Sequence, residues 1–187
     1  MGHTGTLDPF ASGLLILVVG SYTKRAAEFS KLDKVYDAEV TLGSSSTTGD
    51  PEGEISKIST QQPSTEQVQQ ALNKFVGEIM QKPPAFSAIK VAGKRAYELA
   101  RKGKSPLLEA RPVTIYDITD VNYDYPKISF TTKVSSGTYI RSLAADIGQE
   151  LGTGAYLSAL RRTLVGQYDV SEAAQIADLT PELVKTV

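Results

Sequence analysis

The order of strand and helix patterns along the sequence restricts the fold of this chain more than any other sequence feature. Strand patterns cover three segments: residues 35–43, 113–121 and 128–134. Amphipathic helix patterns, with apolar residues three and four apart, cover two more: residues 64–76 and 140–151. Strands and helices therefore do not alternate one by one, as they do in βαβ folds. We predict an α+β fold with a mixed, mostly antiparallel sheet flanked by helices.

Three shorter apolar segments add to this pattern. Residues 14–19 are aliphatic and lie between two glycines, which predicts a buried strand. Residues 157–162 predict a short helix, and residues 164–170 predict a strand. The sequence shows no internal repeat and no change of composition that would mark a second domain. We therefore predict a single domain over residues 1–187.

The composition excludes several kinds of chemistry. The chain has no cysteine and one histidine, His3. A thiol nucleophile, a cysteine-ligated metal cluster and a multi-histidine metal site are therefore excluded. The longest apolar run, residues 13–20, is far shorter than the roughly 20 residues that span a bilayer. We expect a cytoplasmic protein.

The first nine residues form a glycine- and threonine-rich loop that ends in Asp8-Pro9. Pro9 favours an extended backbone at Asp8, and the glycines would let a large substrate approach the main chain. Asp8 is then either a cap of local backbone amides or a reactive carboxylate. His3 is either a solvated terminal side chain or a wedge that stacks on a base. Because no element precedes this loop, we expect part of the domain to lie upstream of Met1.

Three further polar features are candidates for site chemistry. Asp50 lies in a Thr-Gly-Asp-Pro sequence typical of a turn, and it competes with Asp8 for a catalytic role. Arg141 opens a predicted helix, where its charge works against the helix dipole, so we expect it to have a carboxylate or phosphate partner. Arg161-Arg162 is a weaker candidate for a phosphate contact.

The segment 82–111 is strongly basic. It holds eight basic and two acidic residues, a net charge of +6 in a chain whose net charge is −1. Phe86 and Tyr97 are interleaved with the basic residues, together with two prolines and two glycines. Such a run is often only a solvated face, but this one is typical of a loop that wraps a polyanion. We predict an RNA-contacting insertion here.

Several short motifs follow one another along the chain: Gly2-His3-Thr4-Gly5-Thr6-Leu7-Asp8-Pro9, Lys34-x-Tyr36, Thr48-x-Asp50-x-x-Gly53, Pro83-Pro84-x-Phe86-Ser87-Ala88-x-Lys90, Gly137-Thr138-Tyr139-Ile140-Arg141 and Leu160-Arg161-Arg162-Thr163. In this order, and from residue 2 to about residue 170, the chain resembles the TruB family of tRNA pseudouridine synthases.

The resemblance implies a pseudouridine synthase fold and a role for each matched residue. Asp8 is then the catalytic aspartate, and Arg141 is the arginine that pairs with it. His3 helps to displace the target base, which stacks on Tyr36. The resemblance implies that six residues bind the substrate: His3, Tyr36, Asp50, Lys90, Tyr139 and Leu160.

The resemblance also implies the reaction, which isomerises uridine 55 in the T loop of tRNA to pseudouridine without a cofactor or metal. A uridine in folded RNA must be flipped out, and stacking on an aromatic ring offsets part of that cost. An ion pair with Arg141 would keep Asp8 ionised and oriented. Whether Asp8 attacks the base, attacks the sugar or removes a proton stays open. The expected partner is the T-arm of tRNA, bound by a monomer without an obligate protein partner or membrane.

Family members normally carry an N-terminal segment before the first motif and a small C-terminal domain of the PUA type. We expect both to be missing from this sequence. An alternative is therefore a catalytically incompetent RNA-binding module or tRNA-folding helper. A less favoured alternative is a synthase subunit that depends on a guide RNA.

Overall fold

The computed structural model describes residues 1–91, 93–104 and 107–178. Within them the strands are β1 Gly2–His3, β2 Ser12–Gly13, β3 Leu17–Val18, β4 Lys34–Leu42, β5 Ser44–Ser46, β6 Ile55–Lys57, β7 Gly77–Gln81, β8 Lys90–Val91, β9 Lys94–Arg95, β10 Arg111–Asp124, β11 Lys127–Val134, β12 Ala155–Val165 and β13 Tyr168–Asp169. The α-helices are α1 Ala26–Ser30, α2 Thr65–Asn73, α3 Ala96–Ala100 and α4 Ile140–Glu150. Short 3₁₀ turns cover Gly20–Arg25, Val170–Glu172 and Ile176–Asp178.

One large sheet organises the described residues. Its strands lie in the order β13-β12-β4-β11-β10-β7, and every neighbouring pair in this order is antiparallel. Strand β2 adds a short parallel pairing to β12. The prediction of an α+β fold with a mixed, mostly antiparallel sheet is confirmed.

The core lies between one face of this sheet and helices α2 and α4. Strand β4 alternates as predicted, with Ala38, Val40 and Leu42 buried. Helix α4 packs on β12 and β4, whereas α2 packs on β10. A capping box begins α2, since Ser64 Oγ accepts from Gln67 N and Gln67 Oε1 accepts from Ser64 N. Burial of each aliphatic side chain in this core stabilises the folded chain by about 1.5–3 kcal/mol relative to leaving that side chain exposed.

The prediction of a helix over residues 157–162 is wrong, because these residues belong to β12. The strand has a bulge after Leu157, so Leu157 lies opposite Val40 and Leu160 lies opposite Ala38. The bulge inserts one extra residue and puts Leu157 and Leu160, three apart, on the same buried face. Apolar side chains three apart mimic the period of a helix.

The prediction of a buried strand over residues 14–19 is also wrong in extent. Only Leu17–Val18 forms a strand, and it pairs with Gly2–His3 alone. Leu15, Leu17 and Val19 each keep about 40% of their surface exposed. The segment runs along the edge of the fold and is buried on one side only.

Strand β7 precedes the basic segment and was not indicated by the sequence. Its last residue, Gln81, pairs with Arg111, the first residue of β10, so both ends of the insertion are held by the sheet. Between them lie the β8–β9 hairpin and helix α3. Residues 92, 105, 106 and 179–187 lie outside the described residues, so the predicted insertion 82–111 and domain 1–187 are described in part and stay predictions.

Candidate active site

The loop that carries Asp8 is anchored at both ends. Thr4 donates its backbone N–H to the Ile16 carbonyl at 3.1 Å. Gly13 pairs with Arg162 of β12 at a φ of +103°. A Cβ at this glycine would lie 2.2 Å from the Arg162 carbonyl oxygen, so no other residue fits here without a backbone shift. Contacts at both ends therefore hold in place the loop that carries Asp8.

Arg162 is the residue that closes this anchor. Its side chain is 3% exposed and donates from Nε to the Leu14 carbonyl at 2.8 Å and from Nη2 to the Gly5 carbonyl at 3.0 Å. Arg162 is therefore not a phosphate contact, and that part of the Arg161-Arg162 prediction is wrong. The β12 register turns Arg162 inward, while Arg161 is exposed.

Asp8 and Arg141 form a bidentate ion pair. Arg141 donates from Nε to Asp8 Oδ2 at 2.8 Å and from Nη2 to Asp8 Oδ1 at 2.9 Å. Within the described residues these are the two hydrogen bonds that the carboxylate side chain accepts, so the local-cap interpretation of Asp8 is wrong. The prediction that Arg141 has a carboxylate or phosphate partner is confirmed by its pairing with the Asp8 carboxylate. Paired donors of this kind fix the orientation of a carboxylate as well as its charge.

The other donors of Arg141 are also occupied. Nη1 donates to the Thr48 carbonyl at 2.9 Å and lies 3.4 Å from Asp50 Oδ2, and Nη2 donates to the Phe86 carbonyl at 2.9 Å. With the two bonds to Asp8, the guanidinium donates four hydrogen bonds and forms ion pairs with two carboxylates. The side chain is 4% exposed. Arg141 thus joins three separate loops at one point.

Asp50 lies behind this arginine and not at the surface. Its side chain is buried, and Oδ1 accepts from Thr48 Oγ1 at 2.5 Å and from Glu52 N at 3.0 Å. The turn predicted around Asp50 is therefore present, and its carboxylate faces Arg141. This position does not favour the direct contact with RNA that the resemblance implied.

Asp8 is more open than the groups around it. Its side chain keeps 31% of its surface exposed, so a reacting group can reach it. Burial raises the pKa of the Asp8 carboxyl above its ordinary value, the Arg141 ion pair opposes this, and the nearby Asp50 charge adds to the rise. We expected the ion pair to keep Asp8 ionised; the guanidinium does act in that direction, but burial outweighs it.

Two tyrosines lie within electrostatic reach of Asp8. Burial raises the pKa of the Tyr36 hydroxyl, Arg162 opposes this rise, and the Asp8 charge makes a smaller upward contribution. Burial likewise raises the pKa of Tyr139, with a further upward contribution from Asp8 and downward ones from Arg141 and Arg111. Tyr36 lies on β4, and Tyr139 is the residue before α4. Leu160, a buried residue of β12, lies beside the same end of the sheet.

His3 and Lys90 are less closely tied to this cluster. His3 is exposed on β1, in the strand pair that precedes the Asp8 loop. Lys90 is exposed on the β8–β9 hairpin of the insertion, opposite Arg95. Neither residue forms a hydrogen bond or ion pair with Asp8 or Arg141 in the described part of the chain. Their substrate roles stay predictions.

The insertion presents an uncompensated positive surface. All eight basic residues are exposed: Lys82, Lys90, Lys94, Arg95, Arg101, Lys102, Lys104 and Arg111. None of them forms an ion pair among residues 1–91, 93–104 and 107–178. The Arg101 guanidinium lies 5.6 Å from the centre of the Tyr97 ring. Such a surface attracts phosphate groups.

Sequence reasoning missed several residues of this site. Phe86 contributes a backbone carbonyl, which side-chain patterns do not reveal. Thr48 contributes a carbonyl to Arg141 and a hydroxyl to Asp50. Its place in the Thr-x-Asp motif was the available signal. The inward orientation of Arg162 depends on the β12 bulges and had no signal in the sequence.

The arrangement suits chemistry by an oriented carboxylate next to bound RNA. A partly exposed Asp8, two tyrosines within electrostatic reach of it and a basic surface could hold a flipped base and attack it or remove a proton from it. Within the described residues no group of three or more acidic or histidine side chains could hold a metal ion. The same residues include no helix that is long and apolar enough to cross a bilayer.

Two models of protein families match the chain. "TruB family pseudouridylate synthase (N terminal domain)" matches residues 1–140, and "tRNA pseudouridylate synthase B C-terminal domain" matches residues 141–186. The first of these covers most of the chain and includes the loop that carries Asp8.

Two curated relatives with the same name match almost the whole chain. The tRNA pseudouridine synthase B of Clostridium novyi (strain NT) is 46% identical over 182 residues, 97% of this chain and 63% of that protein. The protein of the same name from Borreliella burgdorferi (strain ZS7) is 42% identical over 182 residues, 96% of this chain and 64% of that protein. The chain thus spans less than two thirds of the length of these relatives.

Solved structures agree with the fold. A chain of the "Crystal Structure of a Cbf5-Nop10-Gar1 Complex" is similar with a TM-score of 0.66 and 30% identity, over 90% of this chain and 41% of that one. A chain of the "Structure of H/ACA RNP bound to a substrate RNA containing 2'-deoxyuridine" follows with a TM-score of 0.64 and 27% identity, over 90% and 39%. The predicted pseudouridine synthase fold is confirmed, and this chain belongs to the TruB family of pseudouridylate synthases.

Proposed function

We propose that this chain is the catalytic domain of a tRNA pseudouridine synthase that converts uridine 55 of the T loop to pseudouridine. The observation that carries the proposal is the bidentate Asp8–Arg141 pair, which leaves an oriented and partly exposed carboxylate at 2.8 and 2.9 Å from a buried guanidinium. The name shared by the relatives that are 42–46% identical supports tRNA as the substrate.

The reaction exchanges one bond of the uridine for another. The N1–C1′ glycosidic bond breaks, the uracil rotates, and a C5–C1′ bond forms; C5 loses its proton and N1 gains one. A flipped uracil would stack on Tyr36, with Tyr139 also within electrostatic reach of the Asp8 carboxylate. Asp8 would act as nucleophile or base, and Arg141 would hold it in one orientation and favour its ionised form against the effect of burial. The exposed basic residues of the insertion would hold the T-arm phosphates.

The comparisons also bear on a guide-RNA-dependent alternative. Structural neighbours from ribonucleoprotein complexes are 26–30% identical to this chain, whereas relatives named tRNA pseudouridine synthase B are 42–46% identical. The higher identity supports a tRNA substrate recognised without a guide RNA. We propose that the chain acts as a monomer.

A tritium-release assay tests the proposal. With tRNA carrying tritium at C5 of uridine, the wild-type chain is expected to release tritium, because C5 loses its proton during isomerisation. Asp8→Asn should reduce the release to background, while its affinity for tRNA stays within about threefold, because phosphate contacts dominate affinity. A tRNA with cytidine at position 55 should release no tritium with either protein.

Asp124→Asn is the matched control, since Asp124 is an exposed carboxylate at the end of β10. Full tritium release by Asp8→Asn would overturn the proposal. Tight T-arm binding by the wild type with no tritium release would instead favour the RNA-binding module or tRNA-folding helper.

A further inference from the structure

A buried glutamine clasps the backbone at the point where helix α4 begins. Gln81 is 2% exposed, and its amide makes two hydrogen bonds to one residue. Its Nε2 donates to the Tyr139 carbonyl at 3.1 Å, and its Oε1 accepts from the Tyr139 N–H at 2.8 Å. Tyr139 is the N-cap of α4, and within the described residues its own side chain makes no capping hydrogen bond. The clasp therefore fixes the backbone two residues before Arg141.

The same place joins the helix to the entry of the basic insertion. Gln81 ends β7, and the next residue, Lys82, accepts at its carbonyl from Ser142 Oγ at 2.8 Å. A little further along, the Phe86 carbonyl accepts from Arg141 Nη2 at 2.9 Å. The end of β7 and the first residues of the insertion thus contact the start of α4, which carries Arg141, through Gln81, Lys82 and Phe86.

Gln81 is well placed to act on the site without touching it. It is paired in the sheet with Arg111, where the insertion returns, so strand β10 holds its backbone on one side. Its amide supplies both a donor and an acceptor to the Tyr139 backbone. Tyr139 itself lies within electrostatic reach of Asp8.

We infer that Gln81 is a positioning residue: its amide holds Tyr139 and Arg141 in register with Asp8 and couples the entry of the RNA-contacting insertion to the catalytic pair. This inference rests on the proposed function for its kinetic consequence, but its geometric consequence is independent of activity. Without the clasp the start of α4 shifts, and a shift of about 1 Å in a positioned group can cost about 100-fold in rate.

The first test compares Gln81→Leu with Gln81→Glu under single-turnover conditions at saturating enzyme. Leucine can make neither hydrogen bond, so we expect the rate to fall about 100-fold at every pH. A buried glutamic acid has a raised pKa and, when protonated, both donates and accepts as the amide does. The rate of Gln81→Glu relative to wild type should therefore rise at least about tenfold from pH 8 to pH 6.

A second measurement is independent of catalysis. In wild type the Arg141 Nε–H is bonded to Asp8, and its NMR signal, assigned by its disappearance in Arg141→Lys, should exchange slowly with water. Gln81→Leu should increase that exchange rate by at least about tenfold, because the guanidinium loses its fixed position. If Gln81→Leu does not fold, the pH dependence of Gln81→Glu and its exchange rate decide.

Gln149→Leu is the control, because it makes the same chemical change at an exposed site on the same helix. Wild-type rates and exchange in Gln81→Leu, or a ratio for Gln81→Glu that does not change with pH, would overturn the inference. If the wild type releases no tritium but Gln81→Leu still loses exchange protection, the proposed function fails and the positioning role stands.

Discussion

Arg141 is the single residue on which the candidate site depends. Its guanidinium lies between the carboxylates of Asp8 and Asp50 and also donates to two backbone carbonyls. A buried cation is tolerated when it is paired and hydrogen-bonded, and Arg141 has two carboxylate partners and four hydrogen bonds. The Asp50 charge adds to the effect of burial in raising the pKa of Asp8, whereas the Arg141 charge opposes both.

This charge balance has a consequence for pH. The folded-state pKa of Asp8 lies above its ordinary value because of burial, so this carboxyl holds its proton more tightly in the folded chain than in the unfolded one. The contribution of this group to stability is therefore lost as pH rises through the raised pKa. Under the proposed function, the ionised form that reacts becomes the major form only above that pKa. Activity should fall on the acid side at a higher pH than an ordinary aspartate would give.

The replacement Asp50→Asn tests the charge balance. The Asp50 charge raises the pKa of Asp8, so its removal should move the acid side of the pH–rate profile to lower pH. The maximal rate should fall by about 10- to 100-fold, because Arg141 loses one of its anchors. Single-turnover tritium release between pH 5 and pH 8 measures both effects.

The matched control is Glu52→Gln, which removes an exposed carboxylate from the same turn. Its profile should coincide with that of wild type. An acid limb that stays in place or moves to higher pH in Asp50→Asn would contradict this account of Asp8.

At the scale of elements, β12 does the most to build the site. The bulge after Leu157 brings Leu160 and Arg162 to the face occupied by Ala38 and Tyr36 of β4, and a second bulge follows Arg162. The same bulges break the alternation by which a strand is recognised, so the sequence pattern suggested a helix. By contrast, buried residues alternate regularly along β4, and α2 has a helical apolar period and begins with a capping box. Both elements could therefore be predicted from local sequence.

The replacement Arg162→Met separates a structural arginine from a surface one. It should lower the free energy of unfolding by about 2–4 kcal/mol, because the buried carbonyls of Gly5 and Leu14 lose a charged donor. Urea denaturation followed by circular dichroism measures the change.

Arg161→Met is the neighbouring control. Arg161 is exposed, so its replacement should change the free energy of unfolding by no more than about 0.5 kcal/mol. Equal destabilisation by the two replacements would show that Arg162 does not anchor the Asp8 loop.

At the scale of the whole molecule, charge is divided between regions. The chain has a net charge of −1, yet its insertion exposes eight basic residues without ion pairs in the described part of the chain. The base of the insertion, at Gln81 and Arg111, is held by the sheet beside the Asp8–Arg141 pair. Under the proposed function, RNA bound by the insertion would lie close to the Asp8 carboxylate.

The salt dependence of tRNA binding tests this division. Replacing Lys102 and Lys104 by alanine should flatten the plot of log affinity against log salt by about 0.7–0.9 for each phosphate that the protein no longer neutralises. Filter binding between 50 and 200 mM salt, chosen because electrostatic binding weakens over that range, gives the slope.

The control replaces Lys24 and Lys31, two exposed lysines outside the insertion. This makes the same change in net charge and should leave the slope close to that of wild type. An equal slope change in both variants would mean that total charge, and not the insertion, attracts the RNA.

Local sequence was enough to predict several elements and the family, although it missed β7 and indicated a helix in place of part of β12. Apolar periods predicted β4, α2 and α4, and the motif around Asp8 carried the resemblance that the family models bear out. Which groups meet depends on the tertiary fold: Asp8 and Arg141 are 133 residues apart in the chain. Helix and strand periods depend on near neighbours, whereas such a contact depends on the register of every strand between its partners.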